Sequence, residues 1–221
     1  MVLLAVSASA LVNAELSIAR VDQTQTDLPV TAEELMPLEA RRGVYLVTEG
    51  AEKGIQVPFT LEPHGDQWIL TKQGLARHEL HCDQQGNLLI DRETDLRQDR
   101  HIEYVSPVML LPATVDRKTS LTGRTRVIVS NIRTRSVKYR GICTWQLDFI
   151  GIGPIETPGG TVPTYRLRAK REIRLPLAQI SMTIDFEYVR GTGMVATGVD
   201  QVVHALGLFT ERERWRLEQL P

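Results

Sequence analysis

The chain has 221 residues, 42% of them apolar and 24% charged, and a net charge of −1. That length supports one sizeable core, the composition is that of an ordinary globular protein, and the charge balance excludes a molecule that meets a polyanion with its whole surface. The charge is uneven, however: residues 117–174 hold 13 Lys/Arg against 3 Asp/Glu. Such asymmetry marks either an anion-facing surface or basic strands that pair with acidic neighbours across a ladder.

In chain order, Val2 to Val12 is apolar and small, and Val12-Asn13-Ala14 has the residue sizes of a secretory cleavage site. The run suits a signal-peptide core and is too short to span a bilayer. It lacks a positive leading region, so residues 1–14 read as a truncated signal peptide cleaved after Ala14; a buried element of the mature fold is the alternative. No other segment is long and apolar enough to span a membrane, which predicts a periplasmic or secreted protein. Residues 15–40 are acidic and broken by Pro29 and Pro37, an extended, flexible lead-in. Within it, Thr31 to Leu35 has the capping-box spacing of one helical turn, with Thr31 as cap and Glu34 as its partner.

From Arg41 onward the strand signal dominates. β-Branched and aromatic runs, such as Gly43 to Thr48, alternate with turn residues, such as Pro63-His-Gly-Asp66 and Asp83-Gln-Gln-Gly-Asn87. Roughly ten to twelve short strands follow one another with turn signals about every 8–15 residues. No long stripe of helical period interrupts them. Residues 182–189 alternate cleanly, with Met182, Ile184, Phe186 and Tyr188 on one face. A sheet with one apolar and one polar face is usually antiparallel. Residues 41–221 therefore read as a single all-β domain, a strongly curved antiparallel sheet or half-barrel with few short helices. The tail, 210–220, has helical composition, but its alternation sets Trp215 and Leu217 against the arginines and predicts a closing strand.

Two glycine-rich turns stand out. Thr157-Pro-Gly-Gly-Thr-Val-Pro-Thr-Tyr-Arg166 resembles the TPAGTF-x-T-Y-R turn of a family of bacterial periplasmic proteins of unknown function. Tyr188-Val-Arg-Gly-Thr-Gly-Met-Val195 resembles that family's Y-x-x-G-x-G-x-V turn. The resemblance covers residues 145–220, with Gly160 in place of Ala and Val162 in place of Phe. The family is similar to the half-barrel lipoprotein carriers of the bacterial envelope, which implies an envelope location and a curved sheet. It has no established catalytic residues to carry over. The residues themselves read as turn geometry: Pro158 fixes φ, and Gly159, Gly160, Gly191 and Gly193 can take positive φ.

Reactive constellations are sparse. His78, His81 and Cys82 have metal-ligand character, but on a strand His78 and Cys82 stand ~13 Å apart and His81 faces the other way, so no metal site is read here. No GxSxG elbow is present, Cys143 lies in an apolar run, and no catalytic residue or cofactor is predicted. Cys82 and Cys143 form a possible disulfide in an oxidising compartment, worth about 3–5 kcal/mol by loop entropy. Arg124, Arg126, Arg166, Arg168 and Lys170 make a basic sheet face suited to an anionic envelope ligand; too few aromatics interleave with it to favour nucleic acid. Trp68, Trp145, Phe149, Met182 and Phe186, pointing inward, would line a cavity for an acyl chain or else fill a packed core. The expectation is a non-enzymatic exported protein that binds a lipid-like or anionic ligand or an envelope protein. A β module of purely structural or protein-interaction role and a hydrolase with an unrecognised site are the alternatives.

Overall fold

The computed structural model describes residues 28–157 and 160–220. Fourteen strands and one short helix are placed among them: β1 (Val30–Thr31), α1 (Ala32–Leu35), β2 (Arg41–Glu49), β3 (Gln56–His64), β4 (Gln67–Lys72), β5 (Ala76–Cys82), β6 (Leu88–Asp95), β7 (Arg100–Leu111), β8 (Thr114–Val115), β9 (Ser120–Asn131), β10 (Val137–Thr157), β11 (Gly160–Leu175), β12 (Ala178–Val189), β13 (Gly193–Ala205) and β14 (Phe209–Gln219). Twelve of these strands form one closed antiparallel barrel. The wall is a meander in which sequence neighbours pair, with β8 bypassed by the β7–β9 pairing.

Period-two alternation explains why the sheet closes round a core. On β11, Tyr165, Leu167, Ala169 and Ile173 are buried, while Arg166 and Lys170 between them are exposed to solvent or partly so. Register shifts at Glu79/Leu80, Phe149/Gly151 and Glu187/Tyr188 add an extra residue to one strand. Such bulges bend a strand and raise its twist. The predicted curved antiparallel sheet is therefore present, and it goes beyond a half-barrel. Arg216 to Gln219 of β14 pair with Glu49 to Tyr45 of β2 and seal the last edge, which removes the open edges that would otherwise recruit another chain.

One end of the barrel is plugged. β1 and β8 form a two-stranded sheet, and α1 begins with the expected capping box between Thr31 and Glu34. Val30, Leu35, Met36 and Val115 are all buried at 2% exposure or less. Residues 28–40, the described part of the acidic lead-in, thus contain these plug elements. The segment read as a signal peptide, 1–14, lies outside the described residues. The backbone N–H of Gly191 donates to the Glu34 carbonyl at 2.7 Å, and Arg190 pairs with the Glu34 carboxylate, so the β12–β13 turn is tied to the plug.

Pro158 and Gly159 lie outside the described residues, and Gly160 opens β11 opposite Thr157. Gly191 has φ +74° and Gly193 φ +103°. At Gly193 an added Cβ would stand 2.3 Å from the Arg41 guanidinium, which donates to the Thr192 carbonyl. That turn requires glycine for both its dihedral and its close contact. The predicted Cys82–Cys143 disulfide is not formed: both thiols are free. Cys82 sits exposed at the end of β5, whereas Cys143 faces the core from β10. Three strands of the wall, β6, β7 and β9, separate them.

Candidate functional site

The barrel interior is not completely filled. A cavity of ≈ 170 Å³ runs from Met36 of the plug toward the opposite end, where Leu75, Asp95 and Arg97 border it. Its wall is mainly apolar, with Leu70, Leu80, Ile90, Ile102, Ile184 and Phe186 contributing from β4, β5, β6, β7 and β12. These side chains project inward because each occupies the buried phase of its strand's alternation.

Inside the mouth, where Asp95 and Arg97 stand, four further ionisable side chains break that apolar lining: Lys72, His78, Glu93 and Arg171. His78 and Glu93 face each other across the β5–β6 ladder, with 3.8 Å between Nδ1 and Oε1. Arg171 reaches across from β11, its side chain 2% exposed, and its Nη1 pairs with the Glu93 carboxylate. The Tyr104 hydroxyl donates to Glu93 Oε2 at 3.0 Å. Lys72 is 6% exposed and stands 5.9 Å from the Tyr45 ring centroid. It makes no hydrogen bond or ion pair among the described residues. The Nε of Arg171 is likewise buried without an acceptor.

The protonation states follow from this burial. Burial pushes the Glu93 carboxyl up, but the Arg171 charge and His78 reverse that and hold it well below the usual range. Burial also opposes charge on Arg171, yet Glu93 outweighs it and keeps the guanidinium charged. Burial drives the Lys72 ammonium down to about 8, with Glu93 pulling the other way. His78 is lowered, chiefly by burial and further by the neighbouring cations, against the pull of Glu93. At neutral pH the interior therefore holds two cations, Lys72 and Arg171, and one carboxylate, with His78 mostly neutral.

The end opposite the plug is apolar at its rim. Ile55, Leu96, Val137, Tyr139, Leu177, Leu206, Leu208 and Phe209 are exposed in or beside its hairpin turns, Leu208 at 83% and Phe209 at 66%. Across this mouth Arg97, from the β6–β7 turn, pairs with Glu213 of β14 at 2.6 Å.

Of the residues expected to line a cavity, Met182 and Phe186 do so. Trp68, Trp145 and Phe149 pack against the core without lining it. Trp145 lies over Gly123 on the adjacent strand, where an added Cβ would stand 2.3 Å from the indole. Arg124, Arg126, Arg166, Arg168 and Lys170 alternate with the buried set and project from the outer face. Arg168 is paired with Asp185 at 2.6 Å. Arg124 and Lys170 border an external groove that also contains Glu172, Asp200 and Arg212. His81 faces Asp91 at 2.6 Å, apart from His78, which faces the cavity. Among the described residues no group of three His, Cys, Asp or Glu side chains could hold a metal ion. The interior quartet was missed by sequence reasoning except for one signal: Arg171 shares the phase of Tyr165, Leu167, Ala169 and Ile173.

No family model and no curated protein matches this chain. Two solved structures are similar in arrangement. One is a hypothetical lipoprotein, YmcC, from Escherichia coli (K12), at 13% identity, covering 85% of this chain and 86% of that one, with a TM-score of 0.44. The other is described as a candidate lipoprotein of Parabacteroides distasonis, at 13% identity, covering 85% and 98%, with a TM-score of 0.43. At such scores neither likeness carries a functional conclusion for this chain. Among the described residues no helix is long and apolar enough to cross a membrane.

Proposed function

We propose that this is a non-enzymatic envelope protein whose barrel holds one lipid-like chain in its interior. The observation that carries the reading is the apolar cavity between a plugged floor and an apolar mouth. A cavity of about 150 Å³ accommodates a benzene-sized molecule, and ligand pockets commonly begin near about 300 Å³. At ≈ 170 Å³, the space suits part of a single chain, with the remainder in the mouth, and not a multiply acylated lipid. The exposed leucines and Phe209 give such a chain an apolar path inward.

An exported location rests on the N-terminal segment and on the two turns that resemble those of periplasmic proteins. The absence of a catalytic role fits the state of the buried thiol: burial raises Cys143 to about 11, leaving it protonated and unreactive at neutral pH. The test is mass spectrometry of lipid extracted from natively purified protein, compared with an Ala76→Trp variant that fills the cavity near its mouth. Co-purified single-chain lipid in the wild type and its loss in the folded variant are expected. Equal lipid content in the two, or none in either, counts against the proposal.

A further inference from the structure

Resting on that reading of the cavity, we infer that the ligand is a single-chain amphiphile with an anionic head, a carboxylate or phosphate monoester, held inside the barrel by Lys72 and Arg171. An ordinary apolar carrier has no use for charges in its lumen, and lysine is almost never fully buried unless paired. Here Lys72 is 6% exposed, lines the cavity and hydrogen-bonds to no carboxylate; the Tyr45 ring stands 5.9 Å away and Glu93 acts on it only at a distance. A buried cation without a counter-ion costs several kcal/mol. Glu93 is already engaged by Arg171, Tyr104 and His78, so it is committed elsewhere.

The remaining donors are the right ones for an anion. The Lys72 ammonium has three N–H groups with no acceptor among the described residues, and Arg171 keeps a buried Nε–H without one. An anionic head would neutralise the excess positive charge and accept from these donors. The chain behind it would lie along Leu70, Leu80 and Ile184 toward Met36 of the plug, since Lys72 pairs with Ala76 at the mouth end of its strand. At the mouth itself the charges are balanced differently: Arg97 is paired with Glu213, and Asp95 accepts from the backbone N–H groups of Arg97 and Gln98. Burial depresses the Lys72 ammonium only to about 8, so it is still mainly protonated at pH 7 and available to pair.

The experiment compares four ten-carbon probes by calorimetry at pH 7, each below its micelle concentration: decanoate, decyl phosphate, decanol and decyltrimethylammonium. Charge-assisted hydrogen bonds predict that decanoate or decyl phosphate binds about 10- to 100-fold more tightly than decanol. The cationic probe should bind most weakly. The two anions, compared with each other, distinguish a carboxylate from a phosphate source. Lys72→Met should reduce the anion-to-alcohol ratio at least tenfold. If decanol binds as tightly as the anions, or the ratio survives in Lys72→Met, the anionic-head inference falls and the apolar carrier stands. If none of the four binds, the carrier reading falls with it. The wild-type series decides the matter even if the variant does not fold.

Discussion

Glu93→Gln removes the one carboxylate that faces the interior cations while keeping nearly the same volume. Arg171 is 2% exposed at its side chain and Glu93 16%, and the latter's remaining surface faces the cavity it lines. Breaking a buried pair from one side leaves an uncompensated charge and costs about 3–5 kcal/mol. For a chain of this size, each kcal/mol moves Tm by about 2–4 °C, so the variant should melt about 6–20 °C lower. Replacing both partners, as Glu93→Leu with Arg171→Met, removes the charges together and should fall within about 2 kcal/mol of the wild type. Thermal and urea unfolding followed by circular dichroism give the full double-mutant cycle. Single variants within about 1 kcal/mol of the wild type, or a double variant equal to the sum of the singles, would refute the picture of one coupled cross-barrel pair.

Lys72 should leave a signature in the pH dependence of stability. Its folded-state value, about 8, lies below the ordinary 10.5, so between those limits the unfolded chain binds more protons and stability rises with pH. The contribution is on the order of 3 kcal/mol. Tyr45, Glu93, His78 and Arg171 face it; Glu93, His78 and Arg171 do not titrate inside that window, whereas Tyr45, raised by burial from its ordinary 10, and Cys143, raised to about 11, act in the opposite sense in its upper part. The difference between wild type and Lys72→Met therefore isolates the lysine, and no difference across pH 8–10.5 would contradict its burial. In the plug, Leu35→Ala removes a fully buried side chain and should cost about 2–5 kcal/mol, measured by urea unfolding. A maleimide should label Cys82 in the native protein and Cys143 only after denaturation; protection of both or reaction of both would contradict their placement.

Most of the wall was legible because strand alternation is local. Residues 182–189 declare their inner face in sequence, and β12 buries Ile184, Phe186 and Tyr188 accordingly. The Thr31/Glu34 cap was equally readable, since its partners are three residues apart. Barrel closure was not. It depends on Leu217 meeting Val47, a pairing that no local period encodes. The Glu93–Arg171 pair spans 78 residues and was hidden for the same reason, although the phase of Arg171 already placed it inward. Trp145 shows the converse limit: it has the inward phase, but the bare face of Gly123 takes its ring, and it does not line the cavity. The free cysteines make the same point, since an even count says nothing about which side of a barrel each thiol occupies.

The central claim is that the barrel interior accepts one chain. The most direct measurement is a fluorescence titration of the purified protein with cis-parinaric acid, read beside the Ala76→Trp variant after its melting curve confirms that it is folded. The account predicts saturable binding at one probe per wild-type chain and its loss when the cavity is filled. Unsaturable binding, or equal saturation in the filled variant, would contradict it.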